Sequence, residues 1–409
     1  MDKSFFDSFR TGDYQRANFD SFLEHIKFEY KVPSIHVTGT NGKGSTCSYI
    51  AGIYQENGYK TGLFRSPYLF DPNEMISING KNITDEEFLD IYHRYEKDIH
   101  IFNLSAFEMH TFAALMFFKE QQCDIAVIEC GMGGLIDATN VFVPVLSIIT
   151  SVALEHTDAL GYSISEIAMQ KAGIIKEEIP VLINDLPEEA TRVILTVAKE
   201  NKSKVNYLGH YVNKQFHNDG YSFDYGEFIN AKVSSLADYS VNDAVMALEA
   251  VTVLKDKFSY EIDKAKNGLY KVKMECRMDV VNEHPLVIVD GAHNPEAMAM
   301  LCEKSIYAVS KGKPIHAIFA CFRDKNLGNM LASLGAITDD LTITTFDNPR
   351  ARTEDEYFLF AADYPFREDA KELIKEKMEQ YPDDVILVTG SLAFAAYVKA
   401  MFIKGEIKC

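Results

Sequence analysis

A glycine-rich turn near the start of the chain carries residue types that bind phosphate. Residues 34–48 read SIHVTGTNGKGSTCS, in which a short apolar strand runs into a turn with three glycines and then into a helical pattern. The backbone N–H groups of such a turn and the partial positive charge of the helix start together form an anion site. We expect Lys43 to reach the outer phosphates of a nucleotide and the Ser45 hydroxyl to bind Mg²⁺.

The spacing of this turn differs from that of the general P-loop. Val37 stands where that motif has its first glycine, and Gly44 separates Lys43 from Ser45. An ordinary glycine-rich turn is the alternative interpretation. The strand, the lysine, the serine and the helix nevertheless all stand where phosphate binding needs them, so the variant still predicts a nucleotide site.

Polar side chains follow two other apolar strands. Glu129 ends a strand predicted over 124–129, and Glu155 and His156 follow a strand predicted over 145–150. Ligands of open α/β sheets bind beyond the carboxyl ends of the strands. Because Mg²⁺ prefers oxygen ligands and keeps several waters, a few protein ligands suffice. Glu129 and His156 are therefore candidate metal ligands, with a helix-capping carboxylate and a loop histidine as the alternatives.

The overall composition excludes several classes of protein. The chain has 409 residues, which predicts roughly two or three domains. Its hydrophobic share of 47% and charged share of 25% are those of a soluble globular protein. A net charge of −19 argues against a general nucleic-acid or anionic-membrane binder. An anionic ligand must therefore be held by a local cluster of groups.

The cysteines and the apolar runs indicate a cytoplasmic protein. The seven cysteines include no CxxC pair, so neither a zinc site nor a disulfide framework is predicted, and reduced thiols are expected. The N-terminal stretch 1–14 lacks the apolar core of a signal peptide. The longest apolar run, 141–154, is short and contains Pro144, so no membrane span is expected.

Strands and helices alternate along most of the chain, which predicts two α/β units with a boundary near Met278. Helices are predicted at 18–30, 45–58, 84–98, 106–120, 163–175, 187–200 and 240–255. Strands are predicted around 35–37 and at 60–64, 124–129, 145–150 and 180–183, and then at 285–290, 315–321, 341–346 and 385–389. The aromatic-rich segment 205–230 is predicted to form antiparallel strands.

Six stretches, in this order, resemble the motifs of the folylpolyglutamate synthase and dihydrofolate synthase family of the Mur ligase superfamily. They are TGTNGKGS, SPYLFDPNEMISING, SAFEMHTFAAL, DIAVIECGMGGLIDATN, HTDALGYSISEIAMQKAGIIK and DGAHNP. The resemblance implies an α/β fold. A P-loop-containing, Mur-ligase-like central domain with an open, mostly parallel sheet would cover 1–278, and a smaller Rossmann-like glutamate-ligase domain would cover 279–409.

The resemblance also implies a reaction. An ATP-dependent ligase would join L-glutamate to a folate or dihydropteroate carboxylate through an acyl phosphate, with ATP and Mg²⁺ bound to a cytoplasmic monomer. A Mur-type ligase for another peptide-like acid and a nucleotide-binding homologue without ligase activity are the alternatives.

Particular residues take roles from the resemblance. It implies ATP contacts from Gly39, Asn41, Gly42, Lys43, Gly44, Ser45, Asn242, Arg277 and Asp290. It implies Mg²⁺ ligands at Ser45, Glu129 and His156, and substrate contacts from Glu108, Ile136, Asp137 and Ala138. It implies catalytic parts for Lys43, Lys171 and His293, with Lys171 carboxylated by CO₂.

Simpler alternatives stay open for several of these residues. Asn242 could be a polar residue of a first helical turn, Arg277 a linker charge, and Asp290 a cap for the following helix. Lys171 could instead pair with Glu155 or Glu166.

The chain departs from the family pattern on the acceptor side. Leu135 and Ile136 follow the paired glycines where an arginine is usual, and the linker 274–277 keeps only its arginine. Tyr68 and Glu155 replace a usual histidine and a usual aspartate. The phosphate and metal motifs are retained. These departures therefore bear on the identity of the acceptor substrate more than on the type of reaction.

Overall fold

A computed structural model describes residues 5, 6, 9 and 16–407. The stretch 1–14, for which no signal peptide is expected, lies mostly outside the described residues. The chain divides into two compact units. The first consists of Met1–Asn213, Phe223–Lys232 and Asn242–Val272, and the second of Lys214–Ser222, Val233–Val241 and Lys273–Cys409. The domain division expected from the sequence, 1–278 and 279–409, stays a prediction.

The first unit is built on a large, mostly parallel sheet. Its strands are β1 (Ser34–Thr38), β2 (Thr61–Phe64), β3 (Ile76–Ile78), β4 (Lys81–Asn82), β5 (Ile125–Glu129), β6 (Leu146–Ile149), β7 (Val181–Ile183) and β8 (Val205–Tyr207). Within the described residues, these eight strands lie in the order β4-β3-β2-β5-β1-β6-β7-β8. Only the β2–β3 and β3–β4 pairs are antiparallel. The fully buried β1 therefore lies between β5 and β6.

Most helices of this unit lie where the apolar periodicity predicts them, and the two at 157–160 and 262–271 were not predicted. The helices are α1 (Arg16–His25), α2 (Lys43–Glu56), α3 (Asp85–Ile101), α4 (Ala106–Glu120), α5 (Thr157–Leu160), α6 (Ile164–Ala172), α7 (Glu188–Glu200), α8 (Ser240–Val253) and α9 (Ile262–Lys271). A 3₁₀ turn spans Pro72–Met75. Capping boxes at Thr84 and Ser163 fix the starts of α3 and α6, as the sequence predicts. The core beside α4 is aromatic, with Phe22 packed edge-on to Phe112 at 4.9 Å.

The segment 205–230 differs in part from its prediction. Residues 205–207 form β8, which runs parallel to β7 at the edge of the large sheet. Three further strands, β9 (Val212–His217), β10 (Gly220–Tyr225) and β11 (Phe228–Val233), form a separate sheet in the order β11-β10-β9. Their short connecting turns require neighbouring strands to run antiparallel. The antiparallel prediction is therefore wrong for β8, where pairing with β7 decides the direction.

The second unit contains a six-stranded sheet within the described residues. Its strands are β12 (Asp279–Asn282), β13 (Leu286–Val289), β14 (Ile315–Phe319), β15 (Asp340–Thr344), β16 (Phe366–Arg367) and β17 (Val385–Thr389), in the order β12-β13-β17-β14-β15-β16. β12 is antiparallel to β13, and the other pairs are parallel. The helices are α10 (Pro295–Met300), α11 (Ile306–Ser310), α12 (Leu327–Gly335), α13 (Glu354–Ala361), α14 (Ala370–Gln380) and α15 (Leu392–Ile403), with a π-helical turn at Leu301–Ser305. No helix among the described residues is both long enough and apolar enough to cross a membrane.

Candidate active site

The turn after β1 needs glycine at two positions. Gly42 is the N-cap of α2 and has a left-handed φ of 84°, a conformation that favours glycine. A Cβ on Gly42 would lie 2.5 Å from Asp243 Oδ1, and a Cβ on Gly39 would overlap Thr150 Oγ1. The turn is therefore closely packed, and its backbone lies at the N-terminus of α2, where an anion is stabilised.

Hydroxyl groups beyond β6 hold the turn in place. Ser151 accepts hydrogen bonds from Thr40 N at its carbonyl (3.0 Å) and from Asn41 N at Oγ (2.8 Å). Thr150 Oγ1 donates to the Asn41 carbonyl at 2.6 Å. The sequence motifs predict no role for Thr150 or Ser151. A role for them could have been inferred from the sequence, because two hydroxyl residues directly follow an apolar strand that neighbours β1.

Lys43 and Ser45 both belong to the first turn of α2. Lys43 Nζ donates to the carbonyls of Gly39 (2.8 Å) and Thr40 (3.1 Å), so the ammonium group lies over the turn. Ser45 is buried in the same helical turn. A cation and a hydroxyl thus stand beside the backbone N–H groups that would meet phosphate.

Glu129 ends β5, and its buried carboxylate lies against this helix start. Oε2 accepts a hydrogen bond from Ser66 N at 3.0 Å. The same oxygen is 3.2 Å from the position that a Cβ on Gly44 would occupy. A carboxylate and the Ser45 hydroxyl are hard oxygen donors of the kind that Mg²⁺ prefers, so these residues fit that ion.

His156 lies beyond β6 in a left-handed conformation (φ 48°) at the start of α5. Its Nε2 is 3.6 Å from Glu155 Oε1, and 39% of its side chain is exposed. Among residues 5, 6, 9 and 16–407, no three His, Cys, Asp or Glu side chains are grouped to hold a metal ion. Mg²⁺ usually keeps several waters and needs few protein ligands.

Lys171 is buried in the last turn of α6, with 1% of its surface exposed. Burial, and next the positive charge of Lys43, lower the pKa of Lys171 to about 7, while Glu155 opposes this shift. Glu166 lies at the other end of α6, where its carboxylate accepts from Ser163 N at 3.0 Å in the capping box. At pH 7 about half of Lys171 is therefore the neutral amine, and its charge interacts with that of Lys43 in the phosphate turn.

A glycine-rich loop, 131–140, packs directly on α6. Leu135 N donates to the Gln170 carbonyl at 2.6 Å, and a Cβ on Gly134 would meet that oxygen at 2.8 Å. Asp137 is buried and accepts from Met132 N (2.7 Å), and burial raises the pKa of its carboxyl group. This carboxylate therefore shapes its own loop.

Three of the predicted substrate residues lie on this loop, and the fourth, Glu108, lies in the first turn of α4. Ala138 is buried, Ile136 is half-buried, and Glu108 caps the start of α4 by accepting from Ser105 N at 2.6 Å. Their predicted substrate contacts, like that of Asp137, stay predictions.

Asn242 lies half-buried in the first turn of α8 in the first unit. The neighbouring Asp243 contacts the phosphate turn through the close approach to Gly42. The first unit thus brings together the turn 39–45, Glu129, Lys171 and Asp243.

The second unit gathers its own predicted residues around Asp290, which directly follows β13. Asp290 is buried, and its carboxylate accepts from Met278 N and Ala292 N, each at 2.8 Å. The Arg277 guanidinium lies beside Gly291, where a Cβ would overlap Nη1. Asp290 and Arg277 therefore belong to one local arrangement.

The helix that follows Asp290 is capped by a different residue. Asn294 Oδ1 accepts from Ala297 N at 2.8 Å and caps α10. The alternative in which Asp290 caps this helix is therefore wrong. His293 lies between them, with Nδ1 2.9 Å from the Gly291 carbonyl oxygen.

Comparison with known proteins identifies the family. Residues 37–251 match the family model of the Mur ligase middle domain, and residues 276–392 match that of the Mur ligase glutamate ligase domain. The dihydrofolate synthase/folylpolyglutamate synthase of Bacillus subtilis (strain 168) is 33% identical over 403 residues, covering 91% of this chain and 90% of that protein. The chain belongs to the folylpolyglutamate synthase and dihydrofolate synthase family. The resemblance predicted from the six sequence stretches is confirmed.

Solved structures of family members share the fold. Mycobacterium tuberculosis folylpolyglutamate synthase complexed with ADP superposes with a TM-score of 0.90 at 25% identity, covering 98% of this chain and 97% of that one. A folylpolyglutamate synthase complex with AMPPCP and folate gives a TM-score of 0.88 at 28% identity, covering 98% of both chains. The predicted α/β fold with a Mur-ligase-like domain and a second α/β domain is confirmed.

Proposed function

We propose that this chain is an ATP-dependent ligase that adds L-glutamate to the carboxylate of a folate or dihydropteroate, forming ADP and phosphate. The observation that carries the proposal is the strand order β5-β1-β6, which sets the Lys43 turn between Glu129 and the Thr150–Ser151 hydroxyl pair. The Bacillus subtilis relative is named a dihydrofolate synthase/folylpolyglutamate synthase. A structural relative is complexed with an ATP analogue and folate.

The reaction proceeds in two steps. A carboxylate oxygen of the acceptor attacks the γ-phosphorus of ATP, and the bond to the β-phosphate oxygen breaks, giving an acyl phosphate and ADP. The amine of L-glutamate then attacks the acyl carbon and loses a proton, and phosphate leaves. One acceptor oxygen therefore ends in the released phosphate.

The protein contributes charge neutralisation and positioning, as in phosphoryl transfer generally. Lys43, which lies over the phosphate turn, offsets part of the charge of the two anions that must meet. Ser45, Glu129 and His156 would hold Mg²⁺, which neutralises phosphate charge when bound. The backbone N–H groups after Gly42 would orient the phosphates.

Lys171 is proposed to carry a carbamate. Its neutral amine attacks CO₂, an N–C bond forms, and one proton is released, which leaves an anionic group. Burial favours the neutral amine that reacts, and the nearby charge of Lys43 opposes an ammonium but stabilises an anion. The product resembles a long carboxylate at the edge of the phosphate and metal site.

The remaining assignments follow the family resemblance. Asn242, Arg277 and Asp290 are proposed to contact ATP, and His293 is proposed to act in catalysis. Glu108, Ile136, Asp137 and Ala138 are proposed to lie on the acceptor side. We further propose a cytoplasmic monomer that binds neither nucleic acid nor membranes.

An oxygen-transfer experiment tests the proposed reaction. Dihydropteroate or tetrahydrofolate labelled with ¹⁸O in the reacting carboxylate is incubated with ATP and L-glutamate, and the released phosphate is analysed by mass spectrometry. The proposal predicts one ¹⁸O per phosphate. Unlabelled phosphate with ligated product would exclude the acyl phosphate. Turnover only with another peptide-like acid, or ATP binding without ligation, would favour the two alternatives.

A further inference from the structure

Asp290 joins three segments of the second unit. Its Oδ2 atom accepts hydrogen bonds from Met278 N and from the Tyr239 hydroxyl, each at 2.8 Å, and Oδ1 accepts from Ala292 N at 2.8 Å. Met278 belongs to the turn that carries Arg277, and Ala292 belongs to the DGAHNP segment. Tyr239 comes from a separate segment of the chain and has no predicted role.

The backbone beside Tyr239 is fixed from two sides. Asp238 N donates to Ser305 Oγ at 3.0 Å, and Ser305 is fully buried at the end of the π-helical turn Leu301–Ser305. Lys214 Nζ pairs with Asp238 Oδ1 at 2.7 Å. The aromatic ring of Tyr239 packs on the core of this unit. The hydroxyl is thereby directed at Asp290 by structure outside the nucleotide motifs.

The turn that carries Arg277 depends on Asp290. Cys276 and Met278, on either side of Arg277, have left-handed φ values of 56° and 48°. Two hydrogen bonds offset the strain of this backbone: Met278 N donates to Asp290, and Gly291 N donates to the Cys276 carbonyl at 2.8 Å. A change at the Asp290 carboxylate should therefore reach Arg277 directly.

The charge on Asp290 is sensitive to each donor, because only 1% of this residue is exposed. Burial raises the pKa of the carboxyl group, while Arg277, Met278 N, the Tyr239 hydroxyl and Ala292 N oppose the rise. The Cys302 thiol also interacts with Asp290: its pKa is raised by burial and then by the Asp290 charge. Loss of a donor from an ionised carboxylate favours its protonated form.

We propose that Tyr239 is a positioning residue for nucleotide binding: its hydroxyl fixes the Asp290 carboxylate, which in turn fixes the turn carrying Arg277. This proposal rests on the proposed use of ATP. Tyr239 itself does not need to touch the nucleotide. Its effect should therefore appear in the pH dependence of ATP affinity, which a purely structural role would leave unchanged.

The experiment measures the ATP dissociation constant by calorimetry between pH 5.5 and 8.5 for the wild type, Tyr239→Phe and Tyr225→Phe. Tyr225 is a matched control, because its hydroxyl also donates to a carboxylate, Glu249 Oε2, at 2.6 Å. As the pH falls, ATP affinity should be lost when Asp290 is protonated, and we call this part of the profile the acid limb. We expect Tyr239→Phe to move the acid limb to higher pH by about one unit, so that ATP affinity at a given pH on this limb is about tenfold weaker than in the wild type. We expect Tyr225→Phe to follow the wild-type curve.

Two further variants complete the test. The first places 3,5-difluorotyrosine at position 239, which is a stronger hydrogen-bond donor of nearly unchanged shape. The acid limb of its ATP-affinity profile should move to lower pH. This variant tests the proposal even if Tyr239→Phe does not fold. In an Asp290→Asn background, Tyr239→Phe should change ATP affinity less than twofold.

Several results would overturn the inference. These are a wild-type pH profile in Tyr239→Phe, an equal shift in Tyr225→Phe, an unchanged limb with the fluorinated residue, or a full Tyr239→Phe effect without the Asp290 carboxylate. A wild-type protein that binds no ATP at any pH would instead refute the proposed function.

Discussion

Replacing Lys171 with methionine should stabilise the protein while abolishing its activity. Methionine fills a similar volume without a titrating group. Because the pKa of Lys171 is lowered from 10.5 to about 7, folding at pH 7.5 must strip a proton from a side chain that holds it when unfolded. The two pKa values correspond to a penalty of about 4 kcal/mol, an upper limit for the gain in Lys171→Met.

The sign of the pH dependence follows from the direction of the shift. Between pH 7 and pH 10.5 the unfolded chain binds more protons at Lys171 than the folded chain, so wild-type stability rises with pH in this window. The advantage of Lys171→Met should be largest below pH 7, at about 5 kcal/mol, and vanish near pH 10.5. Denaturant unfolding in CO₂-free buffer measures this difference.

Bicarbonate separates a carbamate from a merely buried lysine. Added bicarbonate supplies CO₂. If CO₂ reacts only with the folded wild type, it should raise the free energy of unfolding of the wild type by mass action and leave that of Lys171→Met unchanged. Lys176→Met is a matched control, because burial and then Arg16 lower the pKa of Lys176, yet no modification is proposed there. Wild-type turnover in Lys171→Met, or equal bicarbonate effects on all three proteins, would refute the reasoning.

Five other substitutions test the site. Lys43→Ala should lower kcat by about two to three powers of ten, because a well-placed charge is lost. Glu129→Gln and His156→Ala should each raise the Mg²⁺ concentration needed for half-maximal activity. Arg277→Lys should weaken ATP binding about tenfold in calorimetry, because lysine lacks the planar fork and loses about one charged hydrogen bond. Gly291→Ala should weaken ATP binding similarly, because its Cβ would overlap Arg277 Nη1 and lie 2.6 Å from Leu392 Cδ1.

Each of these expectations has a defined contrary result. More than about a third of wild-type turnover in Lys43→Ala would remove the phosphate role. If the Mg²⁺ concentration for half-maximal activity is unchanged in both Glu129→Gln and His156→Ala, these two residues are not Mg²⁺ ligands. For the glycine variant the control is Gly328→Ala, since no atom lies within 4 Å of the added Cβ there. Equal ATP affinity in Gly291→Ala and Gly328→Ala would show that displacing Arg277 does not weaken ATP binding.

Local sequence signals predicted the elements that carry the site. The strand, turn and helix at 34–56 follow from apolar residues, glycines and helical spacing that lie next to one another in the chain. The Thr84 and Ser163 capping boxes marked helix starts because each involves backbone groups only three residues away. Lys171 is buried in the last turn of α6, within the helix that the sequence predicts over 163–175.

The features that sequence reasoning missed depend on distant partners. β8 takes its direction from β7, and β16 is a two-residue edge strand that pairs with β15. Thr150 acquires its role from the carbonyl of Asn41, and Tyr239 acquires its role from Asp290. The pairings of β8, β16 and Tyr239 leave no periodic or motif-like signal in the chain. The hydroxyl pair at 150–151 is visible in the sequence, but its partner is known only once β6 is seen to lie beside β1.

The central claim is ATP-driven glutamate ligation, and a coupled assay of ADP release tests it most directly. The purified protein is supplied with ATP, Mg²⁺ and L-glutamate, together with either dihydropteroate or tetrahydrofolate. We expect ADP release that requires both glutamate and acceptor and equals the amount of glutamylated product. The preferred acceptor then identifies the activity. ADP release unchanged by omitting glutamate and acceptor, or ATP binding with no product from either acceptor, would contradict the claim.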